Sequence, residues 1–171
     1  MKRIAAILLI IAFCLPFFGC QQDSEPVRSP VTFYYRRAEF DHGSEDSVIL
    51  GQIRDSDGYQ NDLKGLLNLY LQGPTAEEFD PTFPKGTKLI DYRVEENTAL
   101  LTVSDQLSLA DGIHLTVACA CLAKTVMELT GLETVQIQAQ TVMLGNDKVI
   151  VMDESRILLL DSTQDNSQRS E

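Results

Sequence analysis

Residues 66–104 read LLNLYLQGPTAEEFDPTFPKGTKLIDYRVEENTALLTVS, and their pattern constrains the fold more than any other part of the chain. The apolar residues at the start recur at helical spacing, which predicts a first helix. That helix should end before Gly73-Pro74, because glycine accepts the left-handed conformation and proline cannot continue a helix. A loop follows, marked by three turn residues: Pro81, Pro84 and Gly86.

The second half of this stretch predicts a β-hairpin. Ile90, Tyr92 and Val94 alternate with charged residues, as expected of a strand with one buried face. The returning strand places Ala99, Leu101 and Val103 on one face, and Glu96-Asn97 is the natural turn between the two strands.

Upstream, two short strands and a helix start are predicted. Residues 31–36 are rich in β-branched and aromatic residues and predict the first strand, and residues 48–53 predict the second. Asp57 with Gln60 three positions later is a capping pair that predicts where the first helix begins.

Downstream, the sequence predicts a long helix and then further strands. The helix should run from Gly112 to Thr130 and end at Gly131, with Cys119 on its apolar stripe and Cys121 on a more polar one. Strict alternation then predicts a strand with Val135, Ile137 and Ala139 inward and three glutamines outward. Residues 142–144 and 149–152 predict a closing hairpin, and residues 157–160 an edge strand. The sum is an α+β domain with one mostly antiparallel sheet and two helices packed on one face.

The N-terminus has the features of a secretory leader. Lys2 and Arg3 precede an uncharged apolar run, and Gly19-Cys20 stands at its end. This pattern resembles a bacterial lipoprotein signal, which implies that Cys20 is lipid-modified after cleavage. Ordinary secretion and a retained membrane anchor are the alternatives, although the run is shorter than the roughly 20 apolar residues of a spanning helix.

The predicted organisation has four segments. Residues 1–19 are a lipoprotein signal peptide, 20–30 a lipid-anchored linker, 31–160 the domain, and 161–171 a polar disordered tail. The protein is therefore expected on the extracytoplasmic face of a cell membrane, held by its lipid anchor. With a formal net charge of −11, it should repel phosphate backbones, so nucleic acid is excluded as a partner.

The order of these features is similar to one known family. The sequence Leu69-Tyr70-Leu71-Gln72-Gly73-Pro74 ends a helix, Phe83-Pro84-Lys85-Gly86-Thr87-Lys88-Leu89 follows, and then come the hairpin, a long helix and a terminal strand. This order resembles a single GerMN domain of the sporulation and spore germination lipoproteins, over residues 31–151. The resemblance implies a non-enzymatic module of the cell envelope that binds envelope proteins or copies of itself.

The residues themselves offer little catalytic chemistry. His42 lies in a polar loop and His114 on the wetter side of a helix, and no sequence motif joins them to a nucleophile. Neither a cofactor nor a metal site is predicted, and Cys119 and Cys121 are expected to be buried thiols. The outward row Gln136, Gln138 and Gln140 is uncharged on an acidic protein, so it is the predicted contact face.

One alternative function stays open at the sequence level. Tyr34, Tyr35 and Arg36 combine aromatic and basic side chains, which would suit a cleft that binds a solute or a glycan. A deep pocket there would favour this reading, whereas a shallow surface would favour an interaction module.

Overall fold

The computed structural model describes residues 29–38 and 47–158, and it has the predicted α+β class. Cys20, His42 and the predicted leader and tail lie outside these residues. In chain order the elements are β1 Pro30–Arg36, β2 Ile49–Asp55, α1 Leu63–Tyr70, β3 Leu89–Glu95, β4 Thr98–Val103, a 3-10 helix Asp105–Leu109, α2 Gly112–Thr130, β5 Thr134–Ala139, β6 Ile150–Asp153 and α3 Glu154–Leu158.

The described strands form two sheets, where the sequence predicted one. β1 and β2 pair antiparallel as a two-stranded sheet, and the other four strands form a second sheet in the order β3-β4-β5-β6. The outer edge of β1 is occupied by threonine side chains and by the backbone of residues 78–80. The Tyr34 N–H donates to Thr125 Oγ1 and the Arg36 N–H to Thr82 Oγ1, each at 2.9 Å, and Arg36 and Ala38 exchange backbone hydrogen bonds with Asp80 and Glu78.

β4 and β5 are the one parallel pair among the described strands. The intervening α2 returns the chain to the same end of the sheet, which is what a parallel pair requires. The predicted inward faces are confirmed for both strands: Ala99, Leu101 and Val103 are buried on β4, and Val135 and Ile137 on β5.

The start of α1 differs from the prediction. Asp62 caps the helix, its Oδ1 accepting the Gly65 N–H at 3.0 Å, so the predicted Asp57 cap is wrong. Asp57 instead lies at φ 49° and Gly58 at φ 85°, in a tight turn closed by the Tyr59 N–H on the Ser56 carbonyl. An Asp-Gly pair at these angles suits such a turn better than a helix start.

The predicted end of α1 is confirmed. The helix ends at Tyr70, and Gly73 takes a φ of +102°, which only glycine adopts without strain. Its carbonyl accepts a hydrogen bond from Arg54 Nη1 at 3.1 Å, which ties the turn to β2.

The hairpin turn at Glu96-Asn97 is confirmed, with Glu96 at φ 54°. Its first strand is wetter than predicted, since Ile90 is 37% and Val94 48% exposed. Ile90 lies at a register shift between Leu89 and Asp91, so Leu89 and not Ile90 lies opposite the buried Val103. Val94 is inward, but β3 is an edge strand of the larger sheet and has a neighbouring strand on one side only.

The bounds of α2 match the prediction, and Gly131 caps it at φ 72°. The predicted polar position of Cys121 is wrong, because Cys121 is fully buried beside Cys119, and so is Thr125 on the same helix. The helix packs against β1 as well as against β5 and β6, and this second contact buries the face expected to be wet. By length and composition α2 could also span a membrane, but its burial identifies it as the core helix.

The end of the domain differs most from the prediction. β6 pairs with β5, but residues 142–144 are not a strand; Leu144 makes only an isolated bridge to Asp147. The predicted edge strand over residues 157–160 is wrong at its start, since α3 covers Glu154–Leu158 and buries Ile157, and residues 159 and 160 lie outside the described residues. Asp153 starts this helix by accepting the Arg156 N–H, a local bond that a strand could not make.

Candidate functional site: the outer face of the larger sheet

The predicted contact row lies partly on the outer face of the larger sheet. Gln136 and Gln138 point outward from β5 and are half exposed. Gln138 Nε2 donates to Thr102 Oγ1 on β4 at 3.1 Å, so its side chain is held in place. Gln140 is exposed but comes after the last residue of β5, so the row holds two strand positions and one flanking residue.

Strand register shows what surrounds these glutamines. Leu100 of β4 and Val151 of β6 lie opposite Gln136, and Thr102 lies opposite Gln138. All are half exposed, whereas the inward residues of β4 and β5 are buried. The centre of this face is therefore open and uncharged, with amide, hydroxyl and aliphatic groups side by side. Such a surface can donate and accept hydrogen bonds without desolvating a charge.

The edge of the same face carries charge. Arg93 Nε and Asp91 Oδ2 on β3 lie 3.5 Å apart, and both side chains are more than half exposed. An uncharged centre with a charged, solvated rim is the usual distribution of a protein contact surface.

The three residues of the alternative cleft do not line one cavity. Tyr35 is fully buried, and its hydroxyl donates to the Tyr70 carbonyl at 2.9 Å. Burial raises the pKa of Tyr35 to about 12, so the residue is a neutral core group. Tyr34 lies elsewhere, with Lys124 Nζ 4.9 Å from its ring centroid beside a cavity of about 340 Å³.

Arg36 meets His114 in a small cleft of about 210 Å³. Its guanidinium pairs with Asp80, and its Nη1 donates to His114 Nδ1 at 3.0 Å. Since arginine can only donate, His114 accepts here through Nδ1, and its proton stands on Nε2. The prediction that His114 lies on an exposed part of α2 is confirmed. The group that His114 contacts is the Arg36 guanidinium. A cation of this kind does not orient a histidine as a general base, and it is not a nucleophile that a base could activate.

The two domain cysteines are core groups. Both are fully buried on α2, and burial raises the pKa of the Cys119 thiol to about 12. A thiol with that pKa carries almost no thiolate at neutral pH and is a poor nucleophile or metal ligand. Within residues 29–38 and 47–158, no three His, Cys, Asp or Glu side chains come together.

A larger groove was missed by the sequence analysis. It has a volume of about 740 Å³ and lies between the end of α1, the loop over residues 81–88 and the start of β3. The predicted turn residues Pro84 and Gly86 do form a turn, in which the Thr87 N–H donates to the Pro84 carbonyl at 3.1 Å. The pair Lys85 and Lys88 beside an apolar helix end was the available signal.

Known proteins share this fold and sequence pattern. The family model Germane, described as sporulation and spore germination, matches residues 32–140. None of the curated proteins matches the chain.

Three solved structures are similar to it. The first GerMN domain of the sporulation protein GerM from Bacillus subtilis is 12% identical, with a TM-score of 0.55, over 73% of this chain and 98% of that one. The tandem GerMN domains of the same protein are 16% identical, with a TM-score of 0.51, over 71% of this chain and 42% of that one. A candidate lipoprotein from Clostridium perfringens is 18% identical, with a TM-score of 0.49, over 78% and 93%. The likeness to the two GerM structures shows the α+β fold.

Proposed function

We propose that this chain, which belongs to the Germane family of sporulation and spore germination domains, is a non-enzymatic interaction module. It lies on the outer face of a membrane. In this role the domain acts by contact with envelope proteins or with copies of itself. A lipid on Cys20 holds it there.

The observation that carries the proposal is the open outer face of the larger sheet. Leu100, Thr102, Gln136 and Gln138 present aliphatic, hydroxyl and amide groups there at half exposure, although the chain as a whole has a net charge of −11. A neutral patch on an acidic surface is where a second acidic surface can approach with least repulsion.

The anchor makes a weak contact sufficient. Copies tethered to one membrane meet in two dimensions, which raises their effective concentration without any new contact. The catalytic alternative has little support, because His114 contacts Arg36 and the two domain thiols are buried.

Introducing negative charge on the neutral face tests the contact. The double variant Gln136→Glu/Gln138→Glu should fold normally, since both side chains are half exposed, and should reduce cross-linked species in intact membranes because it repels an acidic partner surface. Gln106→Glu is the matched control, because Gln106 is an exposed glutamine on the 3-10 helix and should cross-link like the parent. Equal cross-linking by the double variant and the control would remove the support for this face.

Cys20→Ser tests the anchor separately. The parent should incorporate labelled fatty acid and fractionate with membranes, and the variant should do neither or should stay unprocessed. A parent protein that takes up no label would rule out the lipid anchor while leaving the sheet face open to test.

A further inference from the structure

The groove beside α1 combines an apolar floor with a cationic rim. Leu71, Phe83 and Leu89 line it and are each less than a tenth exposed. Lys85 and Lys88 also line it, and both are exposed. A ligand in the groove would therefore meet apolar surface, chiefly Ile90, which also lines it and is 37% exposed, together with two ammonium groups.

The charge of this groove is opposite to that of the whole protein. The chain has 25 acidic and 14 basic residues, yet the lining of the groove includes two lysines and no carboxylate. Arg36 and Arg93 are paired with aspartates, whereas Lys85 and Lys88 have no ion-pair partner among the described residues. A carboxylate of a ligand could therefore form an ion pair with Lys85 or Lys88 without displacing an acidic group of the described residues.

The wall of the groove is held in place by side chains of α1. Asn68 Oδ1 accepts the Leu89 N–H at 3.1 Å, and Lys64 Nζ donates to the Ile90 carbonyl at 3.1 Å. These bonds fix the first residues of β3 against the helix, so the groove is formed before a ligand arrives. Gln72, exposed in the lining, offers an amide that can both donate to and accept from a peptide backbone.

The lining favours a peptide over the other anionic ligands. Phe83 is its aromatic residue, but it is 8% exposed and packs edge-on against Tyr70 at 5.1 Å, so it presents no face on which a sugar ring could stack. A long polyanion such as nucleic acid would feel the net charge of the whole protein. A short segment would feel mainly the nearby lysines, because screening limits charge interactions to about 8 Å at physiological ionic strength.

We propose that this groove binds an extended acidic segment of a partner protein. The carboxylates of the segment pair with Lys85 and Lys88, and an intervening aliphatic side chain packs on Ile90, the large apolar residue of the lining that is exposed. The groove and the outer sheet face are lined by different residues, so the groove proposal can be tested separately from the function proposed above.

The test uses the full chain, purified in detergent, and a fluorescein-labelled octapeptide of alternating glutamate and valine. Fluorescence anisotropy should show saturable binding that weakens as salt is added. A glutamate–serine octapeptide should bind more weakly, because it lacks the aliphatic side chains, and a lysine–valine octapeptide should not bind.

Variants of the protein locate the binding. Lys85→Ala/Lys88→Ala should weaken binding on the order of tenfold, as expected for the loss of two exposed ion pairs. Lys148→Ala is the matched control, since Lys148 is an exposed lysine outside the groove, and it should bind like the parent. Gln136→Glu/Gln138→Glu should also leave peptide binding unchanged.

Three results would overturn the proposal. The first is that the glutamate–valine peptide does not bind. The second is that the Lys148→Ala control loses as much peptide affinity as the double lysine variant. The third is that the protein does not bind the peptide but self-associates in a way that requires Lys85 and Lys88. The last would assign the groove to a second copy of this chain.

Discussion

The turn between β3 and β4 stores strain in a single residue. Glu96 lies at φ 54° in a two-residue turn, a region where an L-residue costs roughly 1–2 kcal/mol. Replacing it with glycine removes that cost and adds about 0.5–1 kcal/mol of chain entropy to the unfolded state. Glu96→Gly should therefore raise the free energy of unfolding by about 0.5–1 kcal/mol.

Urea denaturation measures this change directly. With an m-value of about 2 kcal/mol/M, the midpoint should rise by roughly 0.3–0.5 M. Glu96→Gln separates the contributions, because it removes the charge beside Glu95 but keeps the side chain that is strained. The backbone contribution is the difference between the glycine and glutamine variants.

The neighbouring residue supplies a control of opposite sign. Asn97 is not among the described residues with positive φ, so Asn97→Gly relieves no strain and should destabilise the domain by about 0.5–1 kcal/mol. A lower midpoint for Glu96→Gly, or a midpoint equal to that of Glu96→Gln, would refute the strain argument.

Three further predictions concern the core, the turn after α1 and alkaline pH. Leu122→Ala, at a fully buried position, should lower the free energy of unfolding by about 2–5 kcal/mol, and Leu109→Ala, at a position 76% exposed, by far less in the same urea titration. Gly73→Val should cost on the order of 1 kcal/mol or more, because it forces a β-branched residue to φ +102°; an unchanged thermal midpoint would contradict this. Since burial raises the pKa of Tyr35 from 10.0 to about 12, the folded state keeps a proton that the unfolded state loses, so stability should fall as pH rises from 10 to 12. Tyr35→Phe should reduce that slope in urea titrations across this range.

Patterns within a few residues of one another correctly predicted α2 and the buried faces of β4 and β5. The bounds of α2 followed from its apolar period and Gly131, and the inward faces of β4 and β5 from strict alternation. The cap at Asp57 failed because two local signals competed there, and the Asp-Gly turn prevailed over the capping pair. Residues 157–160 were misjudged because an apolar run of that length fits a short helix as well as a strand.

The remaining errors came from contacts distant in sequence. Thr125, which occupies part of the outer edge of β1, is 91 residues from the Tyr34 N–H that it accepts from, so neither segment alone revealed the division into two sheets. Burial of Cys121 depends on the same packing of α2 against β1. The groove could not be predicted from the sequence, because its lining residues, such as Asn68 and Lys88, come from separate elements that only the tertiary structure brings together.

The hydrogen-bonded outer edge of β1 also affects the tendency of the protein to aggregate. An exposed strand edge is a template on which identical chains can stack into fibres, and crowding on a surface increases that hazard. A threonine hydroxyl that satisfies the Tyr34 N–H offers no onward ladder, because it is one acceptor with no backbone behind it. A foreign strand would have to break this bond, the one from Arg36 to Thr82, and the backbone bonds that join Arg36 and Ala38 to residues 78–80 before pairing there. These contacts protect densely displayed copies from polymerising through the Tyr34–Ala38 part of that edge.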